Sequence, residues 1–162
     1  MRRLIFAALA LNFVAACQTG TTELTEEQKA SIAAEVNAVH AEFWNAWREA
    51  EVDEVMAYYL DSPSFGFSHV GEMIRSFSEF EELVQSAFAI VESQTITITD
   101  THTTVLSPNV VCVMDRGVYA FTDTAGVTGP EAGFASTIIW ILHNAEWKVQ
   151  HAHTSEDAAE AS

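Results

Sequence analysis

Apolar and polar positions alternate along the chain with two different periods. After Thr25 the apolar residues recur every three or four positions, the period of an amphipathic helix, at Ile32, Val36, Val39, Phe43 and Trp47. Thr25 and Gln28 have the spacing of a capping box, in which each side chain satisfies the other residue's backbone amide. A first helix is therefore predicted from Thr25 to about Ala50.

Two shorter helices and a strand are predicted next. Asp53 is expected to cap a second helix over 54–60, and Pro63 lies just beyond its end. Residues 64–68 alternate in the manner of a strand. Ser78 and Glu81 repeat the capping signature, which predicts a third helix to about Val91.

From residue 94 the period changes to two, which indicates strands. Four are predicted, over 94–106, 110–123, 133–143 and 146–155, joined by short turns and one Gly/Pro loop. The order is helix, helix, strand, helix and a four-stranded meander. It predicts an α+β fold with three N-terminal helices packed on a curved, mostly antiparallel sheet. A long helix lying across a bent sheet leaves a conical cavity.

The N-terminus has a different pattern from the rest of the chain. Arg2 and Arg3 precede an apolar run over 4–14, and small residues then lead to Cys17. This run is too short for a resident membrane helix, and the whole resembles a bacterial lipoprotein signal, with an ordinary secretory peptide as the alternative.

The lipoprotein resemblance implies a division of the chain into segments and a cellular location. Residues 1–16 would be the signal peptide, 17–24 a tether lipidated at Cys17, 25–155 the domain and 156–162 a flexible acidic tail. The protein would be exported and anchored by lipid to a bacterial membrane, facing the periplasm, with the outer membrane favoured over the inner.

Charge and cysteine content narrow the range of partners. Without Arg2 and Arg3 the chain has five basic and 23 acidic residues, a net charge of −18 with neutral histidines. No basic patch remains to bind phosphates, so nucleic acid is excluded as a partner. The other cysteine, Cys112, lies in an apolar run and is predicted to be a core residue.

The order of elements and the last strand together resemble a known group of proteins. Residues 147–155 read Trp-Lys-Val-Gln-His-Ala-His-Thr-Ser. With the helices before it, this ending is similar to the SnoaL-like domains of the nuclear transport factor 2-like superfamily. The resemblance implies a cone-shaped pocket and pairing of two copies through the sheet. Its members include cyclases, isomerases, hydrolases, dehydratases and binding domains, so the fold does not choose the activity.

The candidate catalytic residues are identified by assuming that side chains alternate strictly between the two faces of the last strand. Trp147 and Val149 identify the inward face, which then includes His151, His153 and Ser155. His153 is the predicted general acid/base, assisted by His151 and Asp115. The predicted pocket lining is Trp44, Trp47, Tyr58, Tyr59, Phe67, Trp147 and Ser155. No metal or cofactor is predicted. The threonines at positions 95, 97, 99, 101 and 103 are expected to share one sheet face.

Three functions remain open at this level. The leading prediction is a lipid-anchored SnoaL-like domain that binds a small, largely apolar molecule in its cone. The second is an enzyme of the same fold, a cyclase, isomerase or hydrolase, that uses His153. The third is a noncatalytic interaction lipoprotein whose cone is filled by its own side chains.

Overall fold

The structure is a computed structural model and describes residues 23–157. The predicted signal peptide, Cys17 and residues 158–162 lie outside the described residues. Three helices are present: α1 (Glu26–Glu49), α2 (Val52–Met56) and α3 (Phe77–Phe88). The strands are β1 (Gly66–His69), β2 (Glu72–Ile74), β3 (Val91–Ser107), β4 (Val110–Asp123), β5 (Ala132–His143) and β6 (Glu146–Glu156).

The helices follow the predicted periodicity, but two caps differ. Thr25 and Gln28 form the capping box of α1, with Gln28 N donating to Thr25 Oγ1 over 3.2 Å. Glu51, not Asp53, precedes α2 and makes no side-chain cap. Ser76, not Ser78, caps α3 by accepting from Glu79 N over 3.3 Å. Both shifts occur where several polar residues compete within two or three positions of a helix start.

The six strands form one sheet in the order β2-β1-β6-β5-β4-β3. All neighbours are antiparallel except β1 and β6, which run parallel. The α+β expectation is confirmed. The short strand β2 was missed because a hairpin at Val70 and Gly71, both with positive φ, returns the chain after only four residues of β1.

The core lies between α1 and the inner face of the sheet. Trp140, Val111 and Val113 are completely buried there, and Phe43 from α1 is 1% exposed. Among the described residues, no helix is long and apolar enough to cross a membrane.

Two β-bulges change which side chains face this core. In β6, His151 pairs with Ile139 while Val149 pairs with Trp140, so Gln150 is the extra residue. In β3, the register shifts between Ile98 and Asp100. A bulge inserts one residue and so transfers every later side chain to the opposite face.

Because of the bulge in β6, three side chains that alternation predicts to face inward instead face outward. Trp147 and Val149 are buried as expected, but the next buried residue is Ala152, three positions after Val149. His151, His153 and Ser155 are exposed on the outer face, and the ring of His151 lies directly against Gly66 of β1. The expectation that these three side chains point into the cone is wrong.

The bulge in β3 divides the predicted row of threonines. Thr101 bonds Asp115 over 2.8 Å, and Thr103 bonds Asn37 of α1 over 2.6 Å, so both face inward. Thr95 and Thr97 precede the bulge and are exposed.

Candidate functional site

An apolar cavity of about 340 Å³ lies between the inner face of the sheet, α1 and α3. Aromatic rings from six parts of the chain form much of its wall. They are Phe43, Trp44, Trp47, Tyr59, Phe67, Phe80, Phe88, Tyr119, Phe121 and Phe134. This is the conical cavity that the order of elements predicts.

Two of its walls follow from local sequence patterns. Phe43 and Trp47 project from the apolar face of α1, and Phe80 and Val84 from that of α3. The sheet contributes Ala152 from β6, because the bulge turns that residue inward. Burial raises the pKa of the Tyr59 phenol, so this wall residue is neutral.

The predicted pocket residues divide between two places. Trp44, Trp47, Tyr59 and Phe67 line the cone. Tyr58 and Trp147 instead line an open cleft of about 630 Å³ between α1, α2 and the β5–β6 turn, and their placement in the cone is wrong. That cleft is bordered by exposed glutamates, Glu42, Glu49, Glu54 and Glu146, and has no aromatic enclosure comparable to the cone.

Asp115 faces inward, but it is occupied by a hydrogen-bond network beside the cone. Its side chain is fully buried, and Oδ2 lies 2.9 Å from His40 Nε2 and 3.1 Å from Ser136 Oγ. Thr101 Oγ1 donates to Oδ1 over 2.8 Å. Trp44 Nε1 is 3.3 Å from Oδ2.

The proton positions in this network follow from the chemistry of a carboxylate. An ionised aspartate only accepts, so His40 Nε2 carries the proton that it shares with Asp115. Trp44 Nε1 is also 3.1 Å from that nitrogen, but a nitrogen that donates there cannot accept, so Asp115 is the acceptor for the indole as well.

The same network sets the protonation state of Asp115. Burial alone would raise the pKa of this carboxyl group, but His40, Thr101 and Ser136 together hold it below its usual range. Asp115 is held by these four donors and is not among the residues that line the cone. It therefore joins α1 to strands β3, β4 and β5.

A signal for this network was present in the sequence. His40 interrupts the apolar face of α1 four residues after Val36 and three before Phe43. A titratable side chain at such a position requires a buried partner. Thr101 and Ser136, the other members, carry no such signal because both are common on exposed strands.

A second polar cluster lies at one end of the cone and contains none of the predicted catalytic residues. Glu156 at the end of β6 lies 3.5 Å from His69 Nε2, measured from its Oε1. Burial, together with the neighbouring Glu156 carboxylate, raises the pKa of Tyr119 to about 12. His69, Tyr119 and Glu156 all line the cavity.

This cluster was missed because its members come from three strands, β1, β4 and β6, far apart in sequence. The bulge places Glu156, like Ala152, on the inner face of the sheet. The β6 strand also continues through Glu156, and Asp157 N donates to Gly133 O over 2.9 Å, which holds this end of β6 against β5.

Residues 23–157 contain no group of three His, Cys, Asp or Glu side chains arranged to hold an ion.

Solved structures with the same fold are distant in sequence. A nuclear transport factor 2-like superfamily protein from Salmonella enterica serovar Typhimurium is 15% identical, with a TM-score of 0.71 over 82% of this chain and 95% of that one. A candidate dehydratase of the same family from Streptomyces avermitilis is also 15% identical, with a TM-score of 0.70 over 80% and 99%.

A ketosteroid isomerase-like protein from Erwinia carotovora has a similar relation to this chain. It is 19% identical, with a TM-score of 0.66 over 83% of this chain and all of that one. At such identities the likeness is one of fold only. No protein of curated function matches the sequence.

The sequence itself matches a family profile over most of its length. Residues 36–159 match the profile of the SnoaL-like domain, a span that begins within α1 and includes every strand. Together with the cone fold shared with nuclear transport factor 2-like structures, this match establishes the family. The chain belongs to the SnoaL-like domain family, and its fold is that of nuclear transport factor 2-like structures.

Proposed function

We propose that this protein is a lipid-anchored, envelope-facing SnoaL-like domain that binds a small, largely apolar molecule in its cone. The observation that carries the proposal is the cavity of about 340 Å³ with aromatic walls. A cavity of that size and apolar character, with a few polar groups at one end, is typical of small-molecule sites.

Two separate observations weigh against the two alternative functions. An interaction protein with a filled cone needs no such space. The enzyme that uses His153 loses its geometric basis, because His153 is exposed on the outer face of β6. The names of the dehydratase-like and isomerase-like neighbours describe those proteins, and this chain shares only their fold.

Binding in the cone is tested with two matched variants of adjacent residues. Thr154 lines the cone, and Ser155 is exposed on the opposite face of the same strand. We expect Thr154→Phe to weaken binding of the neutral fluorescent probe N-phenyl-1-naphthylamine by at least about tenfold, because the ring fills the cavity. Ser155→Phe should bind the probe as the unaltered protein does.

The readout is energy transfer from the cone tryptophans to the probe, after thermal melting shows that both variants are folded. Equal affinity in Thr154→Phe would place the probe outside the cone and contradict the proposal. A protein that binds no probe at all would contradict it as well.

The lipid anchor is proposed from the N-terminal sequence. Arg2, Arg3, the apolar run over 4–14 and Cys17 have the order of a lipoprotein signal. Several acyl chains on one residue would anchor the domain stably. The acidic domain itself, with its excess of glutamates, would be repelled by an anionic bilayer surface.

The anchor is tested with the two cysteines of the chain. In a bacterial host fed a clickable fatty acid, we expect the unaltered protein to be labelled and Cys17→Ser to be unlabelled. Cys112→Ser is the matched control and should be labelled as before, because Cys112 lies in β4. An unlabelled protein with Cys17 intact, or a labelled Cys17→Ser variant, would contradict lipidation at this residue.

We propose further that two copies pair through the outer face of the sheet. This face presents Met114, which is 44% exposed, and the exposed Thr95 and Thr97. Homo-oligomers of soluble domains usually pair by such a self-complementary patch. Native mass spectrometry counts the subunits directly.

A further inference from the structure

The charge distribution around the cone carries information about the ligand. Lys and Arg are absent from the described residues that line the cavity. Two basic side chains of the surrounding elements are engaged elsewhere: Arg48 Nε donates to Ile96 O over 2.7 Å, and Lys148 Nζ donates to Ala57 O over 2.9 Å. A ligand that carries a carboxylate or phosphate would meet no Lys or Arg side chain among the described residues that line the cavity.

One acidic side chain, in contrast, lies at the end of the cone. The Glu156 side chain is 29% exposed, so it is partly removed from water and still reachable from it. It pairs across the sheet with Phe134, and the Phe134 ring lies 6.2 Å from that of Tyr119, centroid to centroid. The ring of Phe67 is 6.2 Å from that of His69.

Within residues 23–157, the side chains that line the cavity near Glu156 include no Lys or Arg. Tyr119 is neutral below about pH 12, since burial and the Glu156 carboxylate raise its pKa. His69 is the single neighbour that can be positively charged, and its Nε2 is 3.5 Å from the carboxylate, longer than a strong charge-assisted hydrogen bond. A ligand can therefore supply the positive charge that the site lacks.

A carboxylate at the end of a cavity lined by aromatic rings is a combination that attracts an organic cation. Ammonium groups bind over aromatic rings through the negative charge of the ring face, and a partly buried carboxylate adds a charged acceptor. The other walls of the cone are apolar and would take a hydrocarbon body.

Resting on the proposed binding function, we propose that the cone selects amphiphilic amines: molecules with an apolar body that fills the cavity and a protonated nitrogen that pairs with Glu156. The acidic surface would also raise the local concentration of such cations. The cone would reject fatty acids and other apolar anions of the same size, because Glu156 repels them and nothing compensates.

The test uses three probes with one tail and different heads, namely octylamine, octanol and octanoic acid. Each displaces N-phenyl-1-naphthylamine from the protein at about pH 8, where a primary amine is protonated, a carboxylic acid is ionised and a free imidazole is neutral. We expect octylamine to bind about tenfold more tightly than octanol, and octanoate to bind least tightly.

The variant Glu156→Gln keeps the shape of the side chain and removes its charge. In this variant the preference for octylamine over octanol should fall to about twofold or less, while the affinity for octanol stays the same. Glu35→Gln is the control for net charge, since Glu35 is exposed on α1 and lines none of the three cavities described. It should keep the full preference.

The outcomes separate this inference from the function on which it rests. If octanol and octylamine bind equally and Thr154→Phe weakens both, the cone binds apolar molecules but the selection of amines is wrong. If octylamine is preferred equally in Glu156→Gln, the cation is bound elsewhere and the inference is also wrong. If none of the probes displaces the dye from the cone, both proposals fail.

Discussion

Replacing Asp115 with asparagine is expected to lower the free energy of unfolding by about 3 kcal/mol. The carboxylate accepts from His40, Trp44, Thr101 and Ser136, and its side chain is fully buried. An amide of the same shape has one oxygen that accepts and an NH2 group that donates, so at least one of these buried donors faces another donor. The loss is measured by urea denaturation.

The matched control is Asp100→Asn. Asp100 lies on the neighbouring strand, but it is exposed and pairs across the sheet with Arg116 on the outer face. Its replacement should change the free energy of unfolding by no more than about 0.5 kcal/mol. A similar loss of stability in both variants would mean that it comes from removing one negative charge, and not from breaking the buried network.

The Asp115 prediction includes a pH dependence whose sign follows from the pKa shift. The folded-state pKa of Asp115 lies below the unfolded value of 3.8, so the ionised form is the one that the fold stabilises. The contribution of ionised Asp115 to the free energy of unfolding is therefore fully present above about pH 5. It is lost as the pH falls through the folded-state pKa. The difference in stability between the unaltered protein and Asp115→Asn should shrink over the same acid range.

Replacing Phe43 with alanine is expected to lower the free energy of unfolding by about 3–5 kcal/mol. Phe43 is 1% exposed, and its ring is within 5.1–6.3 Å of six other aromatic rings, centroid to centroid. They belong to His40, Trp44, Trp47, Tyr58, Tyr59 and Trp140. Removing the ring leaves a void at the point where α1, α2 and the sheet meet, and these large neighbours cannot all move to fill it.

Phe121→Ala is the control for Phe43→Ala, since the same side chain is removed from the rim of the cone, where it is 36% exposed. Its loss should be less than half of that for Phe43→Ala, because part of the ring is already in water. Urea midpoints and slopes measure both variants. A loss below about 1 kcal/mol for Phe43→Ala would contradict the view that this ring is the centre of the core.

The amino-acid sequence by itself determined the types and order of the main elements. Local patterns suffice for this purpose: the capping box at Thr25, the helical period of α1 and the two-residue period of β3 to β6 all act between near neighbours. Because helices must cover one face of such a sheet, these patterns also imply the cone. Four of the residues predicted for the pocket, Trp44, Trp47, Tyr59 and Phe67, line this cavity.

Only the tertiary structure decided which side chains of the strands face the cone. The bulge at Gln150 depends on how β6 pairs with β5, and the register shift before Asp100 depends on how β3 pairs with β4. Neither leaves a mark in the local alternation, since His151, His153 and Ser155 alternate as regularly as Ala152, Thr154 and Glu156. A one-residue shift exchanges the two sets completely. It places the two histidines in solvent and Glu156 at the end of the cone, and so it moves the polar end of the candidate site from one set of residues to the other.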